Sequence, residues 1–390
     1  MTDTLEFGNG TIGPALGDRQ RLEAYLPTDT VQNHASNVLP MPNGDLLCTW
    51  FAGTQEGMSD ISIYVARLQA GTQTWSTPEK VSDDPARSEQ NPVFFPVPDG
   101  KLWLMWTSQE SGNQDSAVVM RRISSDGGYT WGPIELFIDT PGTFVRQPPV
   151  ILENGDWLLT VFYCVHVPGQ KWVGNKDYSA VKISSDQGKT WKEIVVPGSL
   201  GCVHMNIIDL GGGSLVAFFR SRWADHVYTT RSRDWGKTWD AAEPTELPNN
   251  NSSIQVCRLQ NGHLAMVFNN MNAENCTERR VSLYDDIGED DTPVQPAKVE
   301  DPTAKTAFWG APRAPLSIAL SLDDGKSWRI VKDLEVGDGY CMTNNSKEAI
   351  NREYSYPSIK QSIDGKLHIT YTYFRQRIKY VCIDESWILG

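Results

Sequence analysis

Two histidines, a tyrosine, an arginine, an asparagine and a serine recur at one point of a repeated pattern, and together they could bind an anion and move a proton. They are His34, Asn91, Arg146, His204, Ser253 and Tyr356, each nine or ten residues before a turn glycine (Gly44, Gly100, Gly155, Gly213, Gly262 and Gly365). An imidazole titrates near neutral pH and can act as acid or base. A phenol, which ionises near pH ~10 when free, becomes a nucleophile once a neighbour takes its proton. Arg220 ends the apolar run LVAFFRSR, and Arg313 precedes another in RAPLSIAL. Two guanidiniums so placed could form a fork for a planar carboxylate. Polar residues at equivalent positions, each heading an apolar stretch, imply one polar cup. A water-filled channel would also be lined by hydrogen-bonding groups, but the chemical variety of this set favours a functional cup. Arg222, Arg375 and Arg377 read as solvated strand ends, and His166, His263 and His368 as structural residues.

The elements that must hold these residues are legible as a repeat. HASNVLPMPNGDLLCTW, NPVFFPVPDGKLWLMW, RQPPVILENGDWLLTVF, HMNIIDLGGGSLVAFF, NSSIQVCRLQNGHLAMVF and YPSIKQSIDGKLHITY share one plan: a polar start, an apolar strand, a glycine turn and a second apolar strand. Each copy predicts two short strands joined by a tight hairpin, with Gly supplying the left-handed backbone. A second motif follows most copies: SSDGGYTW, SSDQGKTW, SRDWGKTW and SLDDGKSW fit S-x-D-x-G-x-[TS]-W, with RLQAGTQTW a degenerate fifth. This too is a hairpin turn, in which Asp accepts from turn amides and Trp packs between sheets. Six copies at a period of about 50–60 residues predict an all-β six-bladed propeller with four-stranded antiparallel blades, residues 1–390 forming one domain. The doubled interval between Gly262 and Gly365 predicts an insertion at about 272–311, either a surface excursion or a lid. The last copy ends about a strand short, and the N-terminal RLEAYL is expected to supply that strand and close the ring.

The second motif is the Asp-box, and on its four copies the chain resembles the sialidase superfamily of BNR-repeat propellers. The resemblance implies a catalytic tyrosine at the start of the last blade, where Tyr356 falls, with Tyr354 as the fallback. It implies substrate-carboxylate arginines at Arg220 and Arg313. The first of the family's three such arginines is replaced by His34, and the glutamate that activates the tyrosine by His204. The acid/base aspartate of the family belongs to a first-blade loop, where GTQEGMSDISI offers Glu56 and Asp60.

Composition narrows the partners. The net charge of −13 disfavours nucleic acid and anionic membranes. No basic-then-apolar leader opens the chain and no apolar run could span a bilayer, so the expected compartment is the cytoplasm. Seven scattered cysteines without a CxxC pair suggest neither a disulfide framework nor a zinc site, and no cofactor or metal is expected. The expected partner is a carbohydrate, the terminal acidic sugar of a glycan. Three functions fit: an exo-acting glycosidase, a uronate-directed lyase, or a glycan-binding propeller without catalysis.

Overall fold

The apolar stretches form strands, and hydrogen bonding sorts them into six sheets among the described residues. The structure is a computed structural model that describes residues 8–168, 172–280, 282–284 and 305–390. The inner strands of blades 1, 2, 4 and 6 are Gln32–Pro40, Arg87–Pro96, Cys202–Gly211 and Tyr354–Gln361. Blade 5 begins with the short strand Gln255–Arg258. In blade 3 the inner strand is broken into Thr143–Phe144 and Val150–Ile151, both paired with Trp157–Tyr163. Pro148 and Pro149, which have no amide to donate, lie in the break. Each blade then runs outward through antiparallel neighbours, making the six-bladed propeller the repeat predicted.

The blades hold together through apolar clusters that cross from one sheet to the next. Leu47, Phe51 and Val65 of blade 1 pack with Phe94, Leu104 and Trp106 of blade 2, and Phe218 of blade 4 meets Trp328 of blade 5 at a ring distance of 5.4 Å. The Asp-boxes form the turns that lead into the outer strands. Asp126 accepts from the amides of Tyr129 and Thr130 at 3.0 and 2.9 Å, and Ser124 Oγ accepts from Gly128 N at 2.8 Å. The corresponding bonds to Thr190, Thr238 and Ser327 recur at Asp186, Asp234 and Asp323.

Blade 6 takes its outer strand from the other end of the chain. Asp18–Tyr25 pairs antiparallel with Arg377–Ile383, in the register Leu22 to Cys382 and Tyr25 to Lys379. Arg21 fastens this strand to blade 5 by donating to the Leu334 carbonyl and to Glu335 at 2.8 Å.

Four inner strands carry the same irregularity near their start. Pairing slips between His34 and Asn37, Gln90 and Val93, Val203 and Asn206, and Ser355 and Ser358. Within each slip one residue has positive φ: Ala35 (59°), Asn91 (52°), His204 (58°) and Tyr356 (51°). A non-glycine residue there costs about 1 kcal/mol or more, and bulges of this kind re-aim side chains beside functional sites. The register corrects one equivalence. Ala35, not His34, is the counterpart of Asn91, His204 and Tyr356, so His34 enters the cup from one position earlier.

Of the insertion at 272–311, the acidic stretch DDIGEDDTPVQP lies outside the described residues. Residues 274–279 are largely exposed, whereas the parts next to the undescribed stretch pack inward. Leu283, Tyr284, Ala307 and Trp309 form a buried cluster, and the Tyr284 hydroxyl meets the Gln90, Gln109 and Gln114 amides of blade 2 at 3.2, 2.9 and 3.2 Å.

Candidate functional site

The bulges deliver Tyr356 and His204 to the axis with their rings edge to face, 5.6 Å apart. His34 lies against the same phenol at 4.3 Å between ring centres. Three guanidiniums surround the ring, Arg146, Arg220 and Arg313, at 5.4, 5.5 and 5.6 Å from its centre. Arg220 reaches further and donates to Tyr356 Oη at 2.5 Å, while its Nε donates to Asn251 at 2.8 Å. Residues from five blades therefore meet at one phenol, all of them buried.

The three arginines differ in what neutralises them. Arg313 pairs with Glu353 at 3.1 Å. Glu353 also accepts from Arg375 Nε at 2.7 Å, and Arg375 in turn holds Glu56 at 2.6 Å. This chain of two cations and two carboxylates is neutral overall. Burial alone would raise the Glu353 pKa, but Arg313 and Arg375 outweigh it and hold the carboxyl below its ordinary range. Arg146 points its guanidinium at the carbonyls of Ser36, Tyr356 and Pro357, 3.1–3.2 Å away. It braces the floor of the cup, across blades 1, 3 and 6, instead of offering its donors to a substrate. No carboxylate among the described residues is in ion-pair reach of Arg146 or Arg220, and burial pulls both down to about 10. Two buried cations without a counter-ion among the described residues make this an electropositive cluster, although the chain as a whole is acidic.

The remaining sequence candidates spread out. Asn91 is buried at the blade-2 mouth, and its Oδ1 has no protein partner. His34 Nε2 and Gln109 Oε1 are likewise unpartnered. Of the two first-blade carboxyls, Glu56 is buried against Arg375, whereas Asp60 is exposed and ties down its own loop through the Thr54 amide and hydroxyl, both at 2.9 Å. The Tyr354 hydroxyl turns away to the Val336 carbonyl at 3.3 Å, its ring packed on Tyr373 and Phe374. Ser253 supports the histidine, with Oγ 2.9 Å from His204 Nδ1.

Sequence reasoning missed Glu353, and it misjudged two arginines. Arg375 and Arg222 are each 2% exposed, not solvated, and Arg222 is paired with Asp177 at 2.8 Å. The one available signal was a charged residue flanked by strand-forming neighbours in TYTYFRQR and FFRSRW. His166, which directly follows an apolar strand, is exposed beside Asp115. Among the described residues, no group of three or more His, Cys, Asp or Glu side chains is placed to hold a metal ion, and no helix is long and apolar enough to cross a membrane.

Burial and the surrounding arginines push His34 and His204 well below 6.5, and burial lowers His368 to about 4. Each is neutral in the folded protein and protonated in the unfolded chain below pH ~6.5, so the unfolded state binds more protons and stability falls as pH drops. Each contributes a slope of up to about 1.4 kcal/mol per pH unit. Glu89 acts in the opposite sense, its carboxyl raised by burial to about 7, but it is one group against three. Urea unfolding between pH 7 and 5 should therefore show a falling midpoint, with a shallower fall in His204→Gln. Parallel curves for the two proteins would contradict the assignment.

A six-bladed propeller built on Asp-boxes, with a tyrosine among arginines on its axis, defines a protein of sialidase-like fold. The sequence matches the BNR repeat-like domain over residues 44–369, and the chain belongs to that family. Similar solved structures include the Hadza microbial sialidase Hz136, at 14% identity and TM-score 0.64 over 92% of this chain and 66% of that one. A protein of unknown function from Dyadobacter fermentans is 15% identical, with TM-score 0.65 over 92% of this chain and 97% of that one. The intramolecular trans-sialidase from Ruminococcus gnavus is 12% identical, with TM-score 0.62 over 94% and 97%. The chain thus spans just under two thirds of the length of Hz136, and at these identities the likeness is one of fold. No curated protein matches the chain.

Proposed function

We propose that the cup is the catalytic site of an exo-acting glycosidase that removes a terminal, acidic, α-linked sugar from a glycan. The observation that carries this reading is Arg220, a buried cation without a carboxylate partner among the described residues, bonded to the hydroxyl of a buried tyrosine. The sugar carboxylate lies on Arg220 and Arg313, as guanidinium forks bind planar anions. Tyr356 Oη gives its proton to the neutral imidazole of His204 and attacks the anomeric carbon as the bond to the leaving oxygen breaks, and that oxygen takes a proton from Asp60, the first-blade carboxyl that is not paired with Arg375. Water then attacks the same carbon and gives its proton to Asp60, the bond to Tyr356 breaks, and the phenolate recovers its proton from His204. Tyrosine nucleophiles are the sialidase exception among glycosidases. Two of the structural neighbours, a sialidase and an intramolecular trans-sialidase, support the substrate class.

Free-sugar release from a panel of sialosides and uronic-acid oligosaccharides tests the proposal. Arg313→Lys should raise KM about tenfold, since one charge-assisted hydrogen bond is worth roughly 1.5–3 kcal/mol. An unaltered KM would remove Arg313 from the fork. A second reading, β-elimination at a uronate, is favoured by the neutral state of His34 and His204 beside the arginines, because a neutral imidazole can accept the α-proton. Ultraviolet absorbance of an unsaturated product, followed in the same assay, separates the two.

A further inference from the structure

At the far end of the axis from the cup, the inner strands of blades 6, 1, 2 and 3 finish around a cavity of about 470 Å³. We propose that it is a binding site for a small amphipathic monoanion, a compact apolar body carrying one carboxylate. It stands apart from the glycosidase reading, because it lies beyond the floor of the cup and shares no residue with it.

The cavity opens where blade 3 lacks a continuous inner strand. Pro148 and Pro149 have no amide to donate to a neighbour, and the strand resumes only at Val150–Ile151. Two layers of hydrogen bonds separate this space from the cup. The upper layer is Arg146 on the carbonyls of Ser36, Tyr356 and Pro357. Below it, Gln255 Nε2 donates to Gln147 Oε1 at 2.9 Å, and Gln255 Oε1 accepts from Ser358 Oγ at 2.8 Å and from Ile359 N at 2.6 Å. Lys360 and Gln361 follow next on that strand and line the cavity. A ligand therefore enters from the face that carries the turn glycines, not through the cup.

The wall of the cavity is apolar. Leu39, Pro40, Val150 and Ile151 are half-buried and Pro96 is exposed, so apolar surface is left facing water. Covering it is favourable by about 25 cal/mol per Å². Two polar lining residues are already committed. Asn37 Oδ1 accepts from Phe94 N at 3.1 Å and its amide meets Ser358 Oγ at 3.4 Å. Gln361 accepts from Gln260 N at 2.8 Å and donates to the Gly365 carbonyl at 2.9 Å. That leaves Lys360, a half-buried cation with no carboxylate in the lining and no ion pair among the described residues. An ammonium without a counter-ion beside an apolar wall complements one anionic head on an apolar body. The volume falls within the roughly 300–1,000 Å³ of small-ligand pockets, and a concave space of that size suits a small molecule better than a flat protein surface.

The test is calorimetric titration of octanoate, octylammonium and octanol into the whole protein, with methyl NMR to place the bound chain. Octanoate should bind with a Kd of about 1 mM or below, roughly tenfold or more tighter than the other two. Lys360→Met should weaken octanoate about tenfold and leave octanol unchanged, while Lys360→Arg should restore most of the affinity. The octanoate chain should give contacts to the Val150 and Ile151 methyls. Equal octanoate affinity in Lys360→Met and the parent would overturn the site. So would octylammonium binding as tightly as octanoate, contacts to Tyr356 in place of Ile151, or no binding. Should Lys360→Met fail to fold, the three-ligand comparison and the methyl contacts in the parent protein decide alone.

Discussion

Tyr356→Phe should fold, bind substrate and lose turnover by about a thousandfold or more, as expected when the group that forms the covalent bond is removed. The substitution deletes one oxygen and leaves the ring against His34, His204 and the three arginines. Its structural cost is confined to Arg220, which loses one hydrogen bond, worth about 1–2 kcal/mol. Substrate affinity should fall little, because the carboxylate fork is intact. Stopped-flow or end-point kinetics with an aryl sialoside would read kcat, and calorimetry on the inactive variant would read binding. Retained turnover in the Phe variant would exclude a nucleophilic phenol and move attention to His204. Loss of binding with loss of turnover would instead make Tyr356 a substrate ligand.

Arg146→Met should destabilise the propeller by about 3 kcal/mol, at the upper end of single substitutions. Its guanidinium is 1% exposed and gathers carbonyls from blades 1 and 6, with Ser253 Oγ of blade 5 at 3.3 Å from Nε. Methionine keeps an unbranched apolar stem but is shorter than arginine and leaves those carbonyls without donors. The same change removes a buried charge that has no counter-ion, which limits the loss. Urea unfolding monitored by tryptophan fluorescence would show a lowered midpoint with an unchanged slope. Arg146 also holds the Tyr356 carbonyl, so turnover should fall even where folding is complete. A variant as stable as the parent would return Arg146 to the role of anion ligand that its sequence position suggests.

The contrast between these two residues shows what a sequence discloses. Gly44 to Gly365 and the four Asp-boxes state the blade repeat openly, because a tight turn tolerates few residues and every blade needs one. Tyr356 and His204 could be picked out by counting back from those turns, whereas Arg220 and Arg313 were singled out by their places at the ends of apolar runs and by the family resemblance. Glu353 and Arg375 were not, because their burial depends on a partner far along the chain, as in the pairing of Arg375 with Glu56. A charged residue beside a turn reads as solvated until that partner is placed. The one-residue offset of His34 was hidden similarly. A bulge changes which neighbour faces inward without altering the apolar pattern around it.

The pairing of Asp18–Tyr25 with Arg377–Ile383 has a consequence for how the molecule is made. A ribosome releases the earlier strand long before its partner exists, so for most of translation that segment has an unsatisfied edge. Blades 1 to 5 can assemble in order behind it, each on its predecessor, yet the circle closes only when the final strand emerges. Closure over so long a stretch carries a loop entropy that grows only slowly with length, so the delay is set by synthesis and not by the search. Until then the waiting strand is open to any other exposed sheet edge, including that of a second nascent copy.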